Sequence, residues 1–169
     1  GKTNIKPPVN IKKFINITSA EDMYQAVVSN LDENDVVIKS AAVADYKPKE
    51  YSDKKIKKKD GDLVIELDRN KDIAYEIGKI KKDKILVGFA AETNDIIENA
   101  KGKIAKKNMD FIVANNLKES GAGFGTDTNV VSIIEKDGSM KKYPMMTKEE
   151  VASVILDKIK VLLDEKSSL

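Results

Sequence analysis

The stretch "KILVGFAAET", Lys84 to Thr93, decides how the chain is read. Its apolar start has no polar interruption, as a strand covered on both faces requires. It closes on the small residues Ala90 and Ala91 and the acid Glu92. Thr93 or Asn94 is positioned to cap a helix running to Lys107, and "DFIVAN", Asp110 to Asn115, follows as a second buried strand. Upstream, Val36 to Ser40 reads as another strand apolar on both faces, and Phe14 to Ile17 as a short one. Thr18 and Glu21 form a T-x-x-E capping box, opening a helix with Met23, Ala26, Val27 and Leu31 on one face. Asp72 to Ile80 reads as a helix with Ile73, Ile77 and Ile80 in one stripe. Alternation of such strands with helices predicts an α/β fold, a Rossmann-like and mostly parallel sheet flanked by helices.

Two hairpins interrupt the alternation. Lys54 to Lys58 and Leu63 to Leu67 flank Asp60-Gly61, a hairpin turn signal, and read as an inserted lysine-rich flap. Val130 to Met145 reads as an antiparallel edge hairpin turning at Asp137-Gly138. Thr147 and Glu150 form a capping box that opens a final helix, with Val151, Val154, Ile155, Ile159 and Leu162 inward. "GAGFG", Gly121 to Gly125, lacks the strand-turn-helix context of a dinucleotide fingerprint and reads as a loop.

The 169 residues are 41% hydrophobic and 34% charged, which fits one domain with a solvated surface. There is no Cys and no His. Thiol nucleophiles, disulfides, imidazole acid–base steps and the usual zinc sites are thereby excluded. The net charge of +2 argues against bulk nucleic-acid or membrane binding, and aromatic residues at 5% offer no stacking platform. No apolar run reaches a membrane span, and a cytoplasmic location is expected. The opening "GKTNIKPPVN" reads as a loop belonging to a longer chain.

Ligands of open α/β sheets bind beyond the carboxyl ends of strands. Two strands end in small residues there, "IKSAAVADY" and "VGFAAET", each followed by an acid, Asp45 or Glu92. Small side chains let a flat or phosphorylated ligand approach the backbone. Tight helix–sheet packing favours alanine equally. The lysines of "KKIKKK", Lys54 to Lys59, suit a flap over a polyphosphate or a solvated edge that resists aggregation. Lys103 and Lys107, at i and i+4, share a helix face and could complete an anion clamp.

The segments "AAVADY", "KIKK" (Lys55 to Lys58), "NKDI" (Asn70 to Ile73), "GFAAET", "AKKNMDFIVAN" and "FGTDTNVVSII" occur in that order. Together they resemble phosphopantothenoylcysteine synthetase, the phosphopantothenate–cysteine ligase of coenzyme A biosynthesis. The resemblance spans nearly the whole chain. It implies a Rossmann-like domain working as a homodimer, or as a larger assembly with a fused decarboxylase domain. It implies CTP and Mg2+, a phosphopantothenoyl-cytidylate intermediate, and displacement of CMP by the amine of cysteine. Nucleotide contacts are implied at Lys39, Ser40, Ala41 and Asp45. Lys55 is implied as the catalytic lysine. Lys71, Asp72, Ile73 and Ala74 would line the base and ribose with Phe89, and Lys103 and Lys107 would hold the triphosphate.

Where the family usually has N-P-D-I, this chain has Asn70-Lys71-Asp72-Ile73. The family's amino-terminal Gly-rich strand-loop-helix and its phosphopantothenate-binding asparagine segment are not in these residues and are expected upstream. FMN would belong only to a fused decarboxylase still further upstream. The alternative reading is a non-catalytic nucleotide-binding or interaction domain of the same fold.

Overall fold

The structure is a computed structural model that describes residues 7–57, 61–92, 96–116 and 125–168. In chain order its elements are α1 (Ala20–Asn30), β1 (Val36–Lys39), β2 (Tyr46–Pro48), β3 (Leu67–Arg69), α2 (Ile73–Ile80), β4 (Ile85–Glu92), α3 (Ile96–Lys107), β5 (Phe111–Asn116), β6 (Thr128–Asn129), β7 (Val131–Glu135), β8 (Met140–Lys142), β9 (Met146–Thr147) and α4 (Lys148–Ser167). The chain divides into two compact units: residues 1–29 with 41–73, and residues 30–40 with 74–169.

The larger unit holds a five-stranded sheet in the order β1-β4-β5-β7-β8. β1, β4 and β5 are parallel, with Val36 opposite Ile85 and Val87 opposite Phe111. β7 and β8 are antiparallel, as expected for the edge hairpin. Gly138 takes φ +85 at its turn, a conformation glycine adopts without steric cost. The mostly parallel α/β fold predicted from the sequence is the fold observed.

Each central strand splits its side chains between two cores. Ile85, Val87, Phe111, Val113, Val131 and Ile133 pack with Val151, Ile155 and Ile159 of α4. The capping box of α4 forms as predicted: Glu150 N–H donates to Thr147 Oγ1 at 3.2 Å, and Thr147 N–H donates to Glu150 Oε2 at 2.7 Å. On the opposite face Leu86, Ile112 and Ile134 are buried, as are Ala74, Ile77, Ala100, Ile104 and Met109. Gly88 lies against Met109, where an added Cβ would meet Sδ at 2.6 Å.

Helices α2 and α3 meet at Gly78, where a Cβ would stand 2.0 Å from the Lys107 carbonyl oxygen. α3 ends there in a left-handed Asn108, φ 49, with Met109 N–H donating to Ile104 O at 3.1 Å. This is a Schellman-type stop with asparagine in place of glycine. The Asn108 side-chain amide donates to Gly78 O at 2.9 Å, so one residue ends one helix and docks the other.

Lys81, just past α2, is 2% exposed. Its ammonium donates to Asp110 Oδ2 at 2.8 Å and to Lys84 O at 2.6 Å. Asp110 also accepts from Leu86 N–H at 2.7 Å and from Lys136 Nζ at 3.1 Å. Burial pushes the Lys81 ammonium down, and the Asp110 bond offsets only part of that. Burial alone would raise the Asp110 carboxyl. The bonds from Lys81, Leu86 and Lys136 outweigh it and hold the carboxyl below its ordinary value.

In the smaller unit β2 pairs with β3, with Tyr46 opposite Arg69 and Pro48 opposite Leu67. Arg69 lies over the Tyr46 ring at 5.8 Å, and Lys49 pairs with Glu66 at 3.0 Å.

Several expectations are corrected. Phe14 to Ile17 forms no strand: Phe14 and Ile15 are exposed, and no described strand pairs with them. The α1 cap sits one residue later than predicted. Ser19 and Asp22 form the reciprocal pair, because Asp22 reaches the Ser19 and Thr18 amides while Glu21 turns to Gln25. β1 stops at Lys39 rather than Ser40 and is not covered on both faces; Ile38 is 42% exposed at the end of the strand order.

The ladder in this region is β2 with β3, on either side of the lysine-rich segment and not within it. Residues 54–57 and 63–66 are in no strand, and Lys58 to Asp60 fall outside the described residues. There Leu63, Val64 and Ile65 are exposed, so burial does not hold that segment in a register. α2 begins at Ile73, and Ile80 is exposed while Ala74 and Lys81 are buried, because the stripe follows 73, 74, 77, 78, 81. Thr93, Asn94 and most of the Gly-rich loop lie outside the described residues.

Two stability measurements follow. Gly78→Ala would gain about 1 kcal/mol from helix propensity alone. The clash with Lys107 O should reverse the sign, for a net loss of about 1–3 kcal/mol in urea unfolding; a gain would contradict the contact. Asp110→Ala leaves the Lys81 ammonium buried without its carboxylate and should cost about 3–5 kcal/mol. A cost below about 1 kcal/mol would show that the pair does not carry the sheet's amino end.

Candidate nucleotide site

The larger unit places Lys39 at the carboxyl end of β1, in register with Gly88 of β4, and Ser40 one residue beyond it. Ala90 and Ala91 of β4 stand opposite Ala114 and Asn115 of β5, so the ends of three parallel strands lie side by side. Ala90 is 6% exposed and packs as a core residue. Phe89 is half-buried, and its side chain joins the core under α4.

α3 covers the other face and runs back toward the amino end of β5. Lys103 and Lys107 therefore sit in its second half, beside Gly78 for Lys107, and not at the strand tips. They share a helix face as predicted, Lys103 exposed and Lys107 half-buried. The larger unit thus groups Lys39, Ser40 and the β4 end, groups Lys103 with Lys107, and separates the Phe89 ring from those lysines by the thickness of the sheet. Two depressions of this unit, about 360 Å³ between α4 and the β7–β8 hairpin and about 490 Å³ lined by Asp35, Asp83 and Lys166, contain none of the predicted site residues.

Sequence reasoning did not single out the asparagines at the end of β5. The Asn129 amide, 7% exposed, donates to Asn115 Oδ1 at 3.0 Å. Asn129 Oδ1 accepts from Val130 N–H at 3.0 Å, which orients the amide that donates to β5. The available signal was two adjacent asparagines closing an otherwise apolar strand.

In the smaller unit Ala41, Ala42, Ala44 and Asp45 are all exposed. These alanines are therefore not small for the sake of tight packing. Asn70 joins this segment to the next predicted one. Its backbone N–H donates to Asp45 O at 2.8 Å, and its side-chain amide donates to Ala44 O at 2.9 Å. "AAVADY" and "NKDI" are thus held together, through residues 26 apart in the chain in the case of Ala44 and Asn70. Lys71 and Asp72 are exposed and Ile73 and Ala74 buried, so only the first two present side chains to solvent. Lys55 is exposed. Among the described residues no group of three or more carboxylates could hold a metal ion, and no helix is long and apolar enough to cross a membrane.

A family described as DFP, DNA/pantothenate metabolism flavoprotein C-terminal domain, matches residues 1–162. The chain belongs to this family. Among curated members it is 50% identical over 162 residues to the coenzyme A biosynthesis bifunctional protein CoaBC of Bacillus subtilis (strain 168), covering 96% of this chain and 40% of that protein. It is 46% identical over 164 residues to a protein of an unknown prokaryotic organism described as a cysteine/cysteine sulfinic acid decarboxylase, covering 96% of this chain and 46% of that one. The chain therefore spans less than half the length of either relative. A crystal structure of the C-terminal domain of CoaBC superposes with a TM-score of 0.79 at 40% identity, covering 97% of this chain and 74% of that one. The six segments singled out in the sequence all lie within the matched residues.

The α1 cap gives a pH prediction for the smaller unit. Asp22 Oδ2 accepts from Thr18 Oγ1 at 2.8 Å, from Thr18 N–H at 3.1 Å and from Ser19 N–H at 2.9 Å. These bonds lower its carboxyl from 3.8 to about 2. A depressed folded value stabilises above the unfolded value and is lost as pH falls through the folded one. The Thr18 and Ser19 amide shifts should therefore titrate with a midpoint near 2, and α1 should hold its cap at pH 3.5. A midpoint near 4 would show that the cap does not form.

Proposed function

We propose that this chain is the nucleotide-dependent part of a ligase that joins 4'-phosphopantothenate to L-cysteine in coenzyme A biosynthesis. The observation that carries the reading is 50% identity over 96% of the chain with a protein named for coenzyme A biosynthesis. The exposed alanines at the end of β1 support it.

In this reading the carboxylate of phosphopantothenate attacks the α-phosphorus of CTP. Pyrophosphate leaves, and the amine of cysteine then displaces CMP from the acyl-cytidylate to form the amide. Mg2+ arrives with the triphosphate, as is usual for a cation that keeps most of its water and binds phosphate oxygens. The backbone of Lys39, Ser40 and Ala41 lines the nucleotide where bulkier side chains would intrude, with Asp45 beside it. The segment Lys71 to Ala74 and the β4 end at Phe89 contact base and ribose. The family resemblance assigns the triphosphate to Lys103 and Lys107, which lie in the second half of α3 and apart from the strand ends.

Lys55 is the catalytic residue. Its ammonium stabilises charge that builds on the α-phosphate as the carboxylate attacks, an electrostatic task that requires no proton transfer. Neither step calls for imidazole or thiol chemistry, in keeping with a chain that has neither. The protein is expected to work as a dimer.

Lys55→Gln tests this reading in a coupling assay with CTP, Mg2+, phosphopantothenate and cysteine. Removing one preorganised charge donor should lower kcat about 10²–10³-fold with a much smaller change in the KM for CTP. Unchanged coupling would favour a nucleotide-binding domain without this chemistry. A loss confined to KM would make Lys55 a binding group only.

A further inference from the structure

Lys71 occupies an unusual position among the residues assigned to the nucleotide. It lies between β3 and α2, outside any strand or helix. Its ammonium is nevertheless engaged. It donates to Glu21 Oε1 at 3.0 Å and stands over the Tyr24 ring, 4.2 Å from the centroid. Glu21 and Tyr24 are both on the first turns of α1, 50 residues away in the case of Glu21. The Glu21 carboxylate is itself oriented by Gln25, whose amide donates to the same oxygen at 2.8 Å. Bonds from Gln25 and then Lys71 keep that carboxyl below its ordinary value. One residue earlier, Asn70 is fixed through two bonds to Ala44 O and Asp45 O.

These contacts form a chain of ties. Asn70 holds the alanine segment, and Lys71 holds α1, through adjacent residues of one short connection. An ion pair half-exposed on both sides contributes little alone. Here the ring shields one side of the ammonium, and a cation over an aromatic face adds a second attraction of similar size. The ammonium is thus engaged by Glu21 and by the Tyr24 ring.

We propose that Lys71 is a positioning residue: through Glu21 and Tyr24 it latches the Asn70–Asp72 connection to α1, presetting the backbone that meets the base and ribose. The proposal rests on the nucleotide site described above. It assigns Glu21 and Tyr24, which nothing in the sequence pattern marked as functional, to the support of that site.

The test uses Lys71→Met, which keeps the stem and removes the charge, together with Glu21→Gln and the double variant. In the coupling assay each single variant should raise the KM for CTP about fivefold, the loss in kcat/KM arising through KM, with the KM for cysteine unmoved. The double variant should be no worse than either single one, because both remove the same tie. If Lys71→Met raises the KM while Glu21→Gln does not, Lys71 is a direct ligand and the proposal falls. If neither changes it, the latch has no role and the proposal falls.

Amide hydrogen exchange of the protein without nucleotide separates this idea from the functional reading. Faster exchange across residues 70–74 in both variants supports the latch even if the wild type proves inactive with CTP. Unchanged exchange there overturns it whatever the assay shows.

Discussion

The carboxylate of Asp110 gathers three parts of the larger unit at one point. It takes a hydrogen bond from the end of α2 through Lys81, one from the backbone of β4 at Leu86, and one from Lys136 at the β7–β8 turn. Asp110 precedes β5, so this knot lies at the amino end of the parallel strands. A charge buried there is tolerated because each carboxylate oxygen has a donor and the Lys81 ammonium has two acceptors. The contact of Gly78 with the last turn of α3 stiffens the same end. With one end of the sheet fixed in this way, the opposite ends of β1, β4 and β5 are left to carry small and polar residues.

That division suits an open α/β sheet, where ligands meet the carboxyl ends of strands. Exposure sorts the alanines of the two strand ends, which look alike in sequence: Ala91 is exposed as Ala41 is, and Ala90 is not. Ala90 is a packing residue, whereas Ala41, Ala42 and Ala44 face solvent and are held in shape by hydrogen bonds from Asn70 to neighbouring carbonyls. For the proposed ligase this means that much of the recognition is by backbone. Positioning and fixed charge would supply most of the catalysis. A chain without His or Cys is adequate for such a reaction.

The parallel sheet was legible because Ile85 to Val87 and Phe111 to Val113 are apolar without a break, and these are the most deeply buried strands. The β7–β8 hairpin was legible from Asp137-Gly138, whose glycine takes the left-handed conformation the turn demands. Other features were hidden for identifiable reasons. Phe14 to Ile17 has strand composition, but composition does not supply a ladder partner. Lys81 sits one turn beyond Ile77 on the buried stripe of α2; a lysine there reads as surface unless its distant partner, Asp110, is known. The choice between Glu21 and Asp22 as capping acid turned on a one-residue shift that side-chain reach decides. Of the candidate site, the strand-end positions were readable, while the opposite sides of the sheet on which Phe89 and α3 lie were not. That required the register of β4 and the direction of α3.

The most direct measurement follows one oxygen atom. Phosphopantothenate labelled with ¹⁸O in its carboxylate is coupled to cysteine with CTP and Mg2+, and the products are analysed by mass spectrometry. An acyl-cytidylate transfers one labelled oxygen to the phosphate of CMP when the amide forms, and leaves pyrophosphate unlabelled. Label in inorganic phosphate or pyrophosphate, or CMP without label, would contradict the account.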